Sequence, residues 1–427
     1  MLVTSTLMGR AAGMLQGWIA LDDRIRSWWD ADLVDAHDPR RSAVASIPLP
    51  RPYVAGAAPT SPPWYTTMFS WDTYFTNLAL LVHDRPDLVR DHIENYLVMV
   101  GKYGYMPNGN DEGMATRSQV PLFPDSIWRY LVRTADGDLL RRAYLALCEE
   151  YRGYWSAPHH ATDCGLATNA DLGDPVLDWR LAAEAETGLD WTSLWEGDVT
   201  ATAPVMTNSA LVRYAEVLAA MASALHLSAE AHAWRQDAEQ RAARIRSLCW
   251  DESTGFFYDY MYREDRHVRQ AAVTGFWPLW AGVASAYQAQ RAAASLPRFL
   301  HPYGLATTET AAPSPYGDLL DKTDLQWMYP AGWPPLHIMT CWALDRYGLA
   351  GEARRSVTGY LTSVLGHYQA DGELYEKYNV VDGTLELPNA RYGTITLHGW
   401  TSASVVLLGR RLFHDAAIDE QVPGQPV

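Results

Sequence analysis

The chain has 427 residues, 48% of them hydrophobic, and a formal net charge of −16 at pH 7. The acidic residues are dispersed singly, which argues against nucleic acid or an anionic membrane as partner. No apolar run approaches the roughly 20 residues that cross a bilayer.

The four cysteines, Cys148, Cys164, Cys249 and Cys341, have neither paired nor metal-type spacing and read as reduced buried thiols. The N-terminal stretch lacks the basic-then-apolar pattern of a secretory leader. Together these features point to the cytoplasm. The chain holds 18 Trp and 24 Tyr against 8 Phe. Such residues join a flat apolar face to a polar tip, which suits sugar binding and a Trp-rich helical core alike.

Helical periodicity dominates from the start. Ala11, Leu15, Trp18 and Ile19 predict an N-terminal helix. A Pro-rich loop fills residues 35–70. Leu88, Val89, Ile93, Tyr96, Leu97 and Val100 form the next stripe, with Pro86 near its start and Gly101 past its end. A Gly-, Asp- and Trp-rich loop covers 155–206. The spacing of Leu211, Tyr214, Ala215, Leu218, Met221 and Leu225 predicts a helix. After a break at Ser228, Trp234, Ala238, Ile245 and Leu248 predict another. Strand-type alternation is confined to short stretches such as Phe256 to Met261. Long loops over 299–335 and 369–399 flank a helix through Val357, Tyr360, Leu361, Val364 and Leu365. Loops this long are functional or disordered, and these carry Trp residues and acids.

Short connections make consecutive helices antiparallel neighbours, and about six such pairs close into an all-α (α/α)6 toroid with long loops over a central cavity. No linker-like shift in composition divides the chain, so residues 1–427 read as one catalytic domain with a frayed tail from about 415. No HExxH pair, Cys/His cluster or phosphate-binding glycine loop is present, so neither metal nor cofactor is expected. The His159–His160 pair reads as surface.

Glycoside hydrolysis needs one carboxylic acid and one carboxylate. Asp190, in AETGLDWTSLWEGD, and Glu376, in ELYEKYN, sit in loops beside aromatic residues. Each could equally be a solvated surface acid.

Longer matches sharpen the choice. MFSWDTYF, IENYLVMVGKYGYMPNG, the triplet Arg117–Ser118–Gln119, AETGLDWTSLW, LQWMYPAGWPPL, LYEKYNV and HGWTSASV follow one another in order. In that order they resemble the trehalase family of glycoside hydrolases and its clan relatives, which include mannosylglycerate and glucosylglycerate hydrolases. The resemblance implies an inverting hydrolase with Asp190 as general acid and Glu376 as general base. It implies that Trp71, Asp72, Asn108 and Arg117 hold the sugar beside the scissile bond, with Gln326 and Trp327 lining the pocket. Gln119, Trp333, Arg391 and Trp400 complete the implied substrate-binding set.

The departures concern the leaving group. Trehalases carry an Arg and a Glu in a PRPE-type segment, whereas this chain reads GLATNADLGDPVLDWRLAA. The family's Arg before the WD segment falls on Trp64 or a neighbour, and the Glu of its glycine-rich segment falls on Arg391, followed by Tyr392. A guanidinium there offers paired donors to a carboxylate or phosphate. The implied substrate is a small α-glucoside or α-mannoside: a glycosylglycerate-type solute, or trehalose or another neutral disaccharide. A sugar epimerase or isomerase, or a non-catalytic sugar-binding protein on the same toroid, are further alternatives. An epimerase or isomerase would need a histidine relay, and only His398 stands at a motif position. The oligomeric state is not legible.

Overall fold

The computed structural model describes residues 2–35, 37–38, 45–319, 325–388 and 390–424. Its helices in chain order begin with α1 (Leu2–Ala31), α2 (Ser70–Val82), α3 (Pro86–Tyr103), α4 (Phe123–Thr134) and α5 (Gly137–Glu150). They continue with α6 (Trp179–Ala185), α7 (Val205–Ala224), α8 (Ser228–Leu248), α9 (Trp277–Trp280) and α10 (Ala286–Ala294). The last are α11 (Pro334–Arg346), α12 (Ala350–Asp371), α13 (Gly399–Phe413) and α14 (Ile418–Gln421).

Six of these helices form an inner ring. Each of α2, α4, α7, α9, α11 and α13 packs on the next, and α13 closes onto α2. Helices α1, α3, α5, α8 and α12 pack outside them. Burial follows the layer. Every residue from Ser70 to Leu81 of α2 is buried, whereas α8 buries only Ala231, Trp234, Ala238, Ala242 and Ile245. That three- and four-residue step is the single apolar stripe of a helix with one face in solvent. The fold is the expected (α/α)6 toroid.

Close packing fixes some positions. A Cβ on Gly409 of α13 would lie 1.8 Å from Trp18 Nε1 of α1, and that indole donates to Val405 O at 2.9 Å. Helix α3 runs three residues further than its sequence signals suggest. Gly101 is interior, and the terminating residue is Gly104, with φ +83°. Phe256 to Met261 is not one strand but parts of two hairpins, Phe256–Phe257 with Trp250–Asp251 and Tyr260–Met261 with Arg266–His267.

The end of the chain is packed as far as Gly424. Ile418 is fully buried, and Arg129 of α4 donates to Asp419 at 3.0 Å and to the Val422 carbonyl. Arg129 also pairs with Asp125 at 2.7 Å, and Asp125 with Arg213 of α7 at 2.9 Å. A polar tail therefore docks by capping a buried ionic network, which corrects the frayed segment expected from about 415. Residues 425–427 lie outside the described residues.

At the opposite end, three inner helices begin with aromatic residues. Trp71 lies in the first turn of α2, Trp333 precedes α11, and Trp400 opens α13. The segments between helices gather here. A short antiparallel pairing, Ala331 with Asn379 and Gly332 with Tyr378, ties the Trp327–Trp333 loop to the Glu376 loop. Only glycine fits at 332, because a Cβ would lie 2.2 Å from Val380 and 2.7 Å from Leu305 O.

Candidate active site

The inner-helix starts and loops enclose a cavity of about 440 Å³. Asp190 and Glu376 both line it, as do Trp71, Asp72, Asn108, Arg117, Gln119, Trp327, Trp333, Arg391 and Trp400. Gln326 does not line it. Its backbone N–H bonds Trp191 O at 2.6 Å and so joins the 191 and 326 segments, while its side-chain amide is buried with neither the nitrogen nor the oxygen hydrogen-bonded to the protein.

Local geometry explains how Asp190 is presented. Gly188 has φ +80° and packs on the Trp71 indole, where a Cβ would lie 3.0 Å from the ring. Trp191 follows with φ +59°, so the chain turns sharply on either side of the acid. Glu184, at the end of α6, accepts Thr192 N at 2.8 Å, and Thr192 Oγ1 donates to Trp327 O at 2.9 Å. Trp327 Nε1 returns to Asp190 Oδ1 at 3.3 Å. Removal from water, with the nearby negative charge of Glu376, pushes the Asp190 carboxyl up to about 6, against opposing hydrogen bonds and Lys377.

The Glu376 carboxylate meets three donors. Tyr65 and Tyr392 hydroxyls both reach Oε1, the latter at 2.9 Å, and Lys377 Nζ reaches Oε2 at 3.0 Å. Lys377 also lies over the Tyr392 ring at 3.7 Å, and burial lowers its pKa against the pull of Glu376. The backbone of Glu376 is held by Ile395 O at 2.9 Å and by the Trp400 indole on its own carbonyl at 3.2 Å. Burial, then the charges of Glu376 and Asp190, raise Asp72 well above the carboxylate range. A protonated Asp72 can donate to a sugar hydroxyl as well as accept.

The rest of the floor is aromatic and braced. Trp327 stacks on Trp333 with ring centroids 3.7 Å apart, and Trp71 and Trp400 meet edge to face at 5.6 Å. Gln119 Oε1 accepts Trp71 N at 3.1 Å, and the Asn108 amide donates to Ser118 O and Ala185 O.

Arg117 has a structural task alongside its place in the wall. One guanidinium nitrogen pairs with Asp171 at 3.2 Å and Asp174 at 2.7 Å, all three side chains being buried. Asp171 accepts from Gly173 N and Asp174 N, and Asp174 from Val176 N and Leu177 N. The pairing therefore fastens the 171–178 loop, and Leu177 from that loop lines the cavity.

Two histidine readings change. His160 is fully buried, bonded to Glu186 at 2.9 Å, and His159 packs beside it. His398 bonds Asp32 at 2.7 Å and stacks on Trp28. Among the described residues no histidine lines the cavity. Sequence reasoning did not single out Tyr65, Lys377 or Leu177. The Glu376–Lys377 adjacency was the one available signal.

The Trehalase family model matches residues 19–179 and 176–411. The chain belongs to the trehalase family. As a trehalase-family member it is a glycoside hydrolase. It is 29% identical over 409 residues to a periplasmic trehalase of Xanthomonas campestris pv. campestris strain B100, a match covering 85% of this chain and 68% of that protein. Neutral trehalase Nth1 from Saccharomyces cerevisiae has the same fold, with TM-score 0.73 at 23% identity, covering 88% of this chain and 76% of that one. The mannosylglycerate hydrolase of Thermus thermophilus, solved with Tris and D-glycerate, gives TM-score 0.60 at 15% identity, covering 91% and 98%. The two family-matched spans meet at residues 176–179, within the stretch that departs from the trehalase pattern. One relative is named for the periplasm, so family membership does not carry the cytoplasmic expectation. No described helix is long and apolar enough to cross a membrane.

Proposed function

We propose that the chain hydrolyses a small α-glycoside with inversion, Asp190 acting as general acid and Glu376 as general base. One observation carries the reading: two acids with opposed environments face one cavity. Asp190 retains its proton to about pH 6, as a leaving-group acid requires. Glu376 is an acceptor for three donors, as suits a carboxylate that takes a proton from water. In an inverting enzyme the two carboxyl groups stand roughly 6.5–9.5 Å apart, with the attacking water between Glu376 and the anomeric carbon. Asp190 gives its proton to the glycosidic oxygen as that bond breaks.

The names of the curated relative and of the yeast structure support an α,α-linked glucose disaccharide as substrate. Arg391 favours a second reading. Its guanidinium lies 4.0 Å over the Trp191 ring at the cavity wall, where it could meet a glycerate carboxylate. A histidine-relay epimerase has no support in the lining. Rates on trehalose, glucosylglycerate and mannosylglycerate, for wild type and Arg391→Ala, separate the readings. Faster turnover of trehalose, unchanged by Arg391→Ala, supports the first. A glycerate preference lost in Arg391→Ala supports the second. No hydrolysis of any of the three contradicts both.

A further inference from the structure

We infer that Lys377 is a positioning residue for the two catalytic acids: from behind the cavity wall its ammonium keeps Glu376 ionised while Asp190 still carries its proton. The inference rests on the hydrolase reading above and names the group that sets its working pH range.

Three carboxyl groups, Asp72, Asp190 and Glu376, line one cavity. Like charges gathered in one site resist ionising together. Inversion nevertheless requires one acid protonated and the other ionised at the same pH. A cation placed unequally between them separates the two. Of the cations in the lining, Arg117 pairs with Asp171 and Asp174, and Arg391 lies 4.0 Å over the Trp191 ring.

Lys377 is outside the lining. Its Nζ reaches Glu376 Oε2 at 3.0 Å and lies over the Tyr392 ring at 3.7 Å and the Trp333 ring at 4.9 Å. Those two rings face the cavity, so Lys377 acts on a substrate through Glu376. Its side chain is wholly buried, and a buried ammonium persists only beside negative charge. Glu376 and then Asp190 favour its charged form against burial. The return influence is unequal, since Lys377 touches Glu376 and acts on Asp190 only at a distance.

The neighbouring groups supply no comparable charge. Burial, then the charge of Glu376, hold the Tyr65 and Tyr392 hydroxyls neutral, so they give Glu376 hydrogen bonds alone. Asp72 is held protonated, and burial also pushes Glu184, bonded to Thr192 N beside the acid, well above the carboxylate range.

The pH profile of kcat/KM on trehalose tests this in wild type, Lys377→Met and Lys377→Gln, the last keeping a donor without the charge. Without the cation Glu376 ionises only at higher pH, and Asp190 keeps its proton to higher pH. Both limbs should therefore move up, the acid limb by about one pH unit or more and the alkaline limb by less. On α-glucosyl fluoride, whose leaving group needs no proton, the acid limb alone should remain and show the same rise. Lys377→Arg keeps the charge and should keep both limbs near their wild-type positions. A purely structural role would lower kcat or stability and leave the limbs in place. Unmoved limbs, or limbs that move down, in either neutral variant that folds overturn the inference and leave the hydrolase reading intact. An equal rise in Lys377→Arg does the same. A wild-type protein that hydrolyses neither compound contradicts both.

Discussion

Trp327 Nε1 donates to Asp190 Oδ1 at 3.3 Å, and the same indole stacks on Trp333 with centroids 3.7 Å apart. A donor aimed at a carboxylate favours its ionised form. The bond therefore moderates the upward push on Asp190 from burial and Glu376, leaving it at about 6. Because the proposed acid must be protonated, kcat/KM should fall as pH rises through about 6. Trp327→Phe keeps an aromatic wall but removes the donor, so the alkaline limb should move up by about half to one pH unit. A limb that stays in place, or moves down, contradicts the assigned coupling.

Asp190→Asn should lower kcat on trehalose by about 10²–10⁴, the usual contribution of general acid catalysis. The loss should be much smaller on α-glucosyl fluoride, whose leaving group needs no proton. Glu376→Gln should impair both substrates alike, because both need the activated water. Circular dichroism would verify that each variant is folded.

Arg117→Met would leave the Asp171 and Asp174 carboxylates without the guanidinium they share. Removing one partner of a buried ion pair costs about 3–5 kcal/mol, so thermal unfolding should come markedly earlier. If the 171–178 loop detaches instead, stability is spared and KM for bulky aglycones should rise. Wild-type stability together with wild-type KM would contradict the anchoring role.

Much of this was legible in the sequence, and the gaps have physical causes. The stripe through Leu211 to Leu225 and its partner through Trp234 became α7 and α8, because packing there follows the helical period. Helix α9 spans only Trp277–Trp280, too short for a period to register, yet it completes the inner ring. His160 read as surface because a local pair in a loop carries no sign of its distant partner, Glu186. Arg117 was placed as a sugar ligand by its motif, while its ion pairs with Asp171 and Asp174 depend on how a remote loop folds back. Gln326 illustrates the same limit: its position in the motif adjoins Trp327, yet it is buried and is not among the residues that line the cavity. Tyr65 reaches Glu376 across 311 positions, a pairing that no local pattern encodes.

The stereochemistry of the first product tests the central claim most directly. Proton NMR can follow the anomers released from α,α-trehalose before mutarotation mixes them. Inversion by Asp190 and Glu376 predicts one β-glucose, from the attacked ring, for each α-glucose released as leaving group. Release of α-glucose alone would mean retention, and would remove Glu376 from the role of base on water.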